Sequence, residues 1–192
     1  MEKLTNGIVS LIPISLEHTD GIHAAAQDID IWEHMSVDLT NRENCLEYVQ
    51  DAIKKREAGT DFAFVIFHNE TNTIIGCTWF LDIYPNHKRV EIGSTWLNPK
   101  YWRSPVNTNC KWLLLQYCFE VLKYNRVQIK TGHRNLRSQK AIERIGGVKE
   151  GILRNHMIQR NGDIRHTVMY SITIEDWPKT KQAFIEKLLR EN

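Results

Sequence analysis

Between Trp96 and Gly147 the chain alternates strand and helix twice, and few architectures accept that order. Ser94-Thr95-Trp96-Leu97 reads as a strand end. A short loop, Tyr101 to Val106, leads into a long apolar helix from about Asn107 to Lys123, with Asn107 or Thr108 as candidate caps. A second strand, Arg126 to Thr131, runs into an Asn-x-x-Ser helix start at Asn135 and Ser138, and Gly146-Gly147 stops that helix. Two helix N-termini therefore follow two neighbouring strands. Each offers backbone N–H groups and the positive end of a dipole to an anion. A phosphate-bearing cofactor is the simplest use for such a pair.

The flanking segments extend the pattern. Ile8–Ile14 reads as a first strand, and Leu16–Gln27 and Arg42–Ala58 as helices, the second stopped by Gly59. Asp61–His68 is apolar at alternate and intervening positions, so it is expected to be buried on both faces. Thr73–Ile83 and Arg89–Leu97 complete a meander. Val148–Ile158 and Ile164–Thr173 form a hairpin closed by Asn161-Gly162, and Glu175-Asp176-Trp177-Pro178 opens a last helix. The order predicts a mixed α/β (α+β) fold, with a central sheet of about seven strands and flanking helices. Leu114, Cys118, Val121 and Leu122 should face the sheet from the long helix, and Ala141, Ile142 and Ile145 from the next.

With 192 residues and no internal repeat, one domain spanning 1–192 is expected. The longest apolar runs are too short to span a membrane, and the first residues carry no apolar leader core. Four cysteines without C-x-x-C spacing suit a cytoplasmic protein with reduced, buried thiols. Cys110 and Cys118 share a helix face, which points to packing, and no cluster has metal-ligand spacing. Dinucleotide, Walker and metalloprotease motifs and a serine elbow are all missing.

The net charge of +2 hides an asymmetry. Residues 1–99 carry 7 Lys/Arg against 15 Asp/Glu, and residues 100–170 carry 14 against 4. A basic half suits an anionic ligand, and an acidic half a cationic one. Solvated faces would look the same. The basic residues follow no nucleic-acid-binding signature, so nucleic acid is not the expected partner.

Glu91-Ile92-Gly93, Trp96-Leu97-Asn98-Pro99, Val106 to Lys111 and Asn125-Arg126-Val127 then form a set with Arg134-Asn135-x-Arg137-Ser138-x-Lys140-Ala141-Ile142-Glu143-Arg144-Ile145-Gly146. Gly151-x-Leu153-Arg154 and Thr167-Val168-x-Tyr170-Ser171 belong to it too. As a set these motifs resemble the GNAT superfamily of N-acetyltransferases, and most of all its RimJ/RimL-type branch, which acetylates ribosomal-protein N-termini and other amines. The resemblance implies acetyl-CoA as donor, with no metal, and a splayed gap between the strands Arg89–Leu97 and Arg126–Thr131. The pantetheine arm would pair with free backbone groups near Thr95, Trp96 and Leu97. The pyrophosphate would sit on the loop from Trp102 through Arg103, Ser104, Pro105 and Val106 to Asn107.

That loop departs from the family's Gln/Arg-x-x-Gly-x-Gly/Ala pattern. Trp102 holds the first position, Pro105 the glycine position and Asn107 the last small one. Proline lacks the N–H donor and fixes φ. The N–H groups of Val106, Asn107 and Thr108, helped by Arg103, are expected to carry the phosphates, with weaker or differently posed binding.

Transfer to an amine needs a proton acceptor and a proton for the departing thiolate. Ser138 is the candidate acid, because the position where many relatives carry Tyr is Ile142 here. Its alternative is a local first-turn hydrogen bond. Asn135 either caps its helix, contacts the cofactor, or does both. Glu91 is the candidate base, since relatives often place one on this strand, with an ion-paired strand residue as the alternative. His156 is held in reserve. Trp32, Trp79 and Tyr84 could line an acceptor cleft or pack in the core, and Arg137 and Lys140 could meet phosphates. The expected activity is acetyl transfer to a primary amine, either a protein N-terminus or a small cationic amine, the latter motivated by Asp28, Asp30, Glu33 and Asp38. A module that holds acyl-CoA without turnover is the alternative. A homodimer is allowed by the sequence.

Overall fold

The computed structural model describes residues 1–190. Among them one sheet has eight strands in the order β1-β2-β3-β4-β5-β6-β8-β7. These are β1 (Leu4–Thr5), β2 (Val9–Pro13), β3 (Phe62–His68), β4 (Thr73–Tyr84), β5 (Arg89–Leu97), β6 (Arg126–Gly132), β7 (Val148–Ile158) and β8 (Ile164–Thr173). The helices are α1 (Thr19–Ala25), α2 (Arg42–Ala58), α3 (Val106–Gln116), α4 (Leu136–Arg144) and α5 (Trp177–Ala183). β5 and β6 run parallel, and the other neighbours are antiparallel. The strand beyond the seven expected is β1, a two-residue edge whose pairing with Leu11 and Ser10 no periodicity could reveal.

Two cores sit on opposite faces. On the first, Phe64, Phe80, Val90 and Ile92 pack with Leu114, Cys118, Ile142, Trp177 and Phe184 from α3, α4 and the C-terminal helical segment. On the second, Ile22, Val49, Ala63, Cys77, Trp79 and Trp96 pack with the α1–α2 region. β3 serves both faces, as its doubly apolar sequence requires.

Three local details differ from the expectation. The first helix splits into a 3₁₀ turn, Leu16–His18, followed by α1. The cap of α3 is Pro105, with neither Asn107 nor Thr108 in that role. Proline fits because its φ of −63° is already helical and a cap needs no N–H partner of its own. After Gln116 the helix widens into a π turn, Tyr117–Val121, where Leu122 N–H bonds to Tyr117 C=O. The added residue rotates the stripe, so Cys118 and Phe119 are buried while Val121 is 62% exposed.

Candidate active site

β5 and β6 pair only at Arg89–Arg126, Val90–Val127 and Glu91–Gln128. Beyond these the strands share no ladder, and β6 follows β8 as far as Gly132. The cause lies in β5. Cys77 and Trp79 of β4 face Trp96 and Gly93, so β5 fits one extra residue into this interval. Ser94 carries the bulge in the left-handed region, at φ 45°. Gly76 admits the bulged backbone: a Cβ there would collide with the Trp96 carbonyl and lie 3.0 Å from Leu97 Cα.

The first turn of α3 points its N–H groups toward this end of the sheet. Val106 N–H reaches Ser104 Oγ at 3.4 Å, and Ser104 in turn donates to Tyr101 C=O at 2.6 Å. Asn107 and Thr108 N–H find no acceptor among the described residues. Arg103 is exposed, at φ 58°. The α4 N-terminus is closed instead, because Asn135 Oδ1 accepts from Ser138 N–H at 3.0 Å. Of the two helix starts, α3 therefore keeps N–H groups without an acceptor, while the Asn135 side chain caps α4. Ser138 is half-buried in the first turn of α4, and Ile142 is buried in the first core.

Trp102 occupies the mouth of the gap. Its Nε1 donates to Leu97 C=O at 2.9 Å, so this carbonyl is already paired. The Arg137 guanidinium lies 4.0 Å from the Trp102 ring centroid. Arg137 thus links the α4 start to the loop before α3, while Lys140 is exposed.

Behind the bulge lies a residue that sequence reading did not single out. Lys111 of α3 is 7% exposed and donates to Thr95 Oγ1 at 2.7 Å, and Thr95 Oγ1 lies 2.7 Å from Thr78 Oγ1. Burial lowers the Lys111 pKa to about 8. Its place on an apolar helix face was the available signal.

Glu91 is 1% exposed on the opposite face. Its Oε2 accepts from Gln128 Nε2 at 3.0 Å and pairs with Lys130 Nζ at 3.0 Å. His156 is exposed on a bulge of β7, with Nδ1 3.0 Å from Thr167 Oγ1.

The chain matches the acetyltransferase (GNAT) domain model over residues 9–148. It belongs to the GNAT acetyltransferase family. Uncharacterized N-acetyltransferase p20 of Bacillus licheniformis is 25% identical over 176 residues, covering 90% of this chain and 96% of that one. A GCN5-related N-acetyltransferase from Brucella melitensis is 28% identical, with TM-score 0.91 over 99% of this chain and 86% of the other. The microcin C7 self-immunity acetyltransferase MccE, solved with acetyl-CoA and AMP, shares the fold at 21% identity and TM-score 0.79, covering 88% of this GNAT chain and 94% of its own.

The aromatic residues named for an acceptor cleft are used elsewhere in this GNAT chain. Trp32 and Trp79 are both 3% exposed in the second core, where Trp32 packs on Trp96 at 5.2 Å and donates to Ala26 C=O. Tyr84 stacks on His87 at the far end of β4. The acidic segment is also committed locally. Asp28 accepts from Asp30 N–H, and Asp38 binds Arg160 Nη2 at 2.9 Å across to the β7–β8 tip. Among the described residues, no helix is long and apolar enough to cross a membrane, and no His/Cys/Asp/Glu group could hold a metal. All four cysteines are buried free thiols, and burial pushes Cys45 to about 11 and Cys110 to about 12.

Proposed function

We propose that the chain moves an acetyl group from acetyl-CoA to a primary amine, by direct attack within a ternary complex. The supporting observation is the gap between β5 and β6, opened by the Ser94 bulge beside the start of α3, where the Pro105 cap leaves the Asn107 and Thr108 N–H groups free. Acetyl-CoA supplies an acyl group already activated as a thioester. Asn107 and Thr108 N–H, with Val106 and Arg103 beside them, would hold its phosphates. Thr95 and Trp96 on the bulged strand would meet its arm, while Leu97 contributes through its N–H and side chain because its carbonyl serves Trp102. Ser138 is the proposed proton donor toward the thiolate. Glu91, paired with Lys130, would draw the amine proton through a relay. The acceptor is a protein N-terminus, as in the RimJ/RimL-type branch, or a small amine. Cytoplasmic residence fits the four buried, unpaired cysteines.

A second reading is an acyl-CoA-binding module without turnover. Pro105 at the helix cap and Ile142 in the core favour it. Calorimetry with acetyl-CoA, followed by a thiol-release assay across a panel of amines, separates the readings. Binding with release supports transfer, binding without release on any amine supports the module, and no binding rejects both.

A further inference from the structure

The sheet face that carries Glu91 holds a line of charged side chains on β6 and β8 and their neighbours. Almost all are matched. Glu91 pairs with Lys130, Arg126 makes a two-pronged pair with Glu150 at 2.6 Å, and Asp38 pairs with Arg160. Arg165 of β8 is half-buried and has no such pair. Its side chain lies across Gly132, where a Cβ would come 3.4 Å from Nε, so the missing side chain at the end of β6 gives it a path toward the gap. Its Nε is buried without a hydrogen-bond partner, and no guanidinium nitrogen of Arg165 makes an ion pair among the described residues. The group is close enough to Glu91 to feel its charge, yet Glu91 already belongs to Lys130.

A guanidinium is always charged, and its planar fork matches a carboxylate or phosphate in two-point contact. Holding such a group half-buried and unpaired costs stability, so a stable fold retains it where a ligand supplies the counter-charge. Glu91, Arg126 and Asp38 are matched within their own pairs, which leaves the Arg165 guanidinium without a counter-charge.

We infer that Arg165, laid across Gly132 at the open end of the β5–β6 gap, binds an oxyanion group, a carboxylate or a phosphate, carried by the acceptor beside its reacting amine. This rests on the acetyl-transfer reading and narrows it. The preferred acceptors are amines bearing an anionic substituent, and the uncharged amides or esters of the same molecules are poorer. Asp38 of the acidic segment between α1 and α2 is itself paired with Arg160.

The test uses matched amines, namely an α-amino acid, its amide, and an aminoalkyl phosphate with its parent amino alcohol. Wild type, Arg165→Met and Arg165→Lys are compared by thiol release, by calorimetry with acetyl-CoA and by unfolding midpoint. The expected result is a wild-type preference for the anionic member of a pair. In Arg165→Met that preference falls about 10- to 100-fold, mostly in KM, with partial rescue in Arg165→Lys and unchanged acetyl-CoA affinity. Preference for the carboxylate pair or the phosphate pair names the group. Equal use of acid and amide by the wild type, or weakened acetyl-CoA binding in Arg165→Met, would overturn the inference while leaving acetyl transfer intact. If no amine is turned over, the transfer reading fails by itself. The Arg165 assignment is then decided by calorimetry with the same pairs, and lack of anion-dependent binding rejects it.

Discussion

The Lys111 ammonium donates to Thr95 Oγ1 at 2.7 Å, joining the middle of α3 to the bulged end of β5. Lys111 has no carboxylate partner among the described residues, so the charge rests on the Thr95 hydroxyl, which is itself 2.7 Å from Thr78 Oγ1. Its pKa of about 8 lies below the ordinary 10.5, so the folded state binds this proton less tightly than the unfolded chain. Stability from this group is therefore greatest above pH 10.5, declines as pH falls toward about 8, and stays at its lower level below that. Lys111→Met removes this dependence. Urea midpoints should show the variant at least as stable as wild type at pH 7, with the difference moving toward wild type by at most about 3 kcal/mol as pH rises to 10. Parallel pH curves would reject this explanation.

Gly76→Ala tests the bulge. The new methyl collides with the Trp96 carbonyl, which is backbone and cannot rotate aside. Destabilisation of about 2–4 kcal/mol is expected by denaturant titration, together with weakened acetyl-CoA binding as β5 shifts. Gly151→Ala, where nothing lies within 4 Å, serves as the control and should be near neutral.

Ser138→Ala leaves the Asn135 cap in place, since the capped group is the backbone N–H. Helix stability should hardly change. If the hydroxyl donates to the thiolate, kcat falls about 10- to 100-fold while acetyl-CoA affinity stays within about twofold. Unchanged kcat removes Ser138 from that role.

A second copy of the chain is expected on the free edge of β7. Ile152 is 50% exposed and Ile158 is 77% exposed on this outermost strand, and an uncovered apolar edge invites pairing. Sedimentation should give a dimer mass that Ile152→Lys combined with Ile158→Lys reduces to one chain. A monomeric wild type would end this expectation.

Much of the framework could be read from local pattern. The bounds of β5, β7 and β8 match the expected segments, because turn residues and alternation are written within a few positions of one another. Asn135 was legible as a cap for the same reason, and Asn161-Gly162 as a hairpin turn. What escaped depends on contacts between distant positions. Neither Ser94 nor Gly76 looks unusual until β4 and β5 are placed side by side. The Glu91–Lys130 pair joins two parallel strands, and Arg165 gains its meaning only from lying over Gly132. The exposure of Val121 has another origin: a π turn carries no periodic signal of its own and shows itself only by rotating the stripe of buried residues.

Before Ser94, side chains at odd positions of β5, such as Glu91, look toward the α1–α2 side; after it Thr95 and Leu97 look toward α3. A single inserted residue thus shifts the odd–even count along the strand without exchanging its two faces. Deleting it would leave Thr95 and its successors looking the way they do now, while straightening β5 against β4 and closing the seam that the cofactor arm is proposed to use.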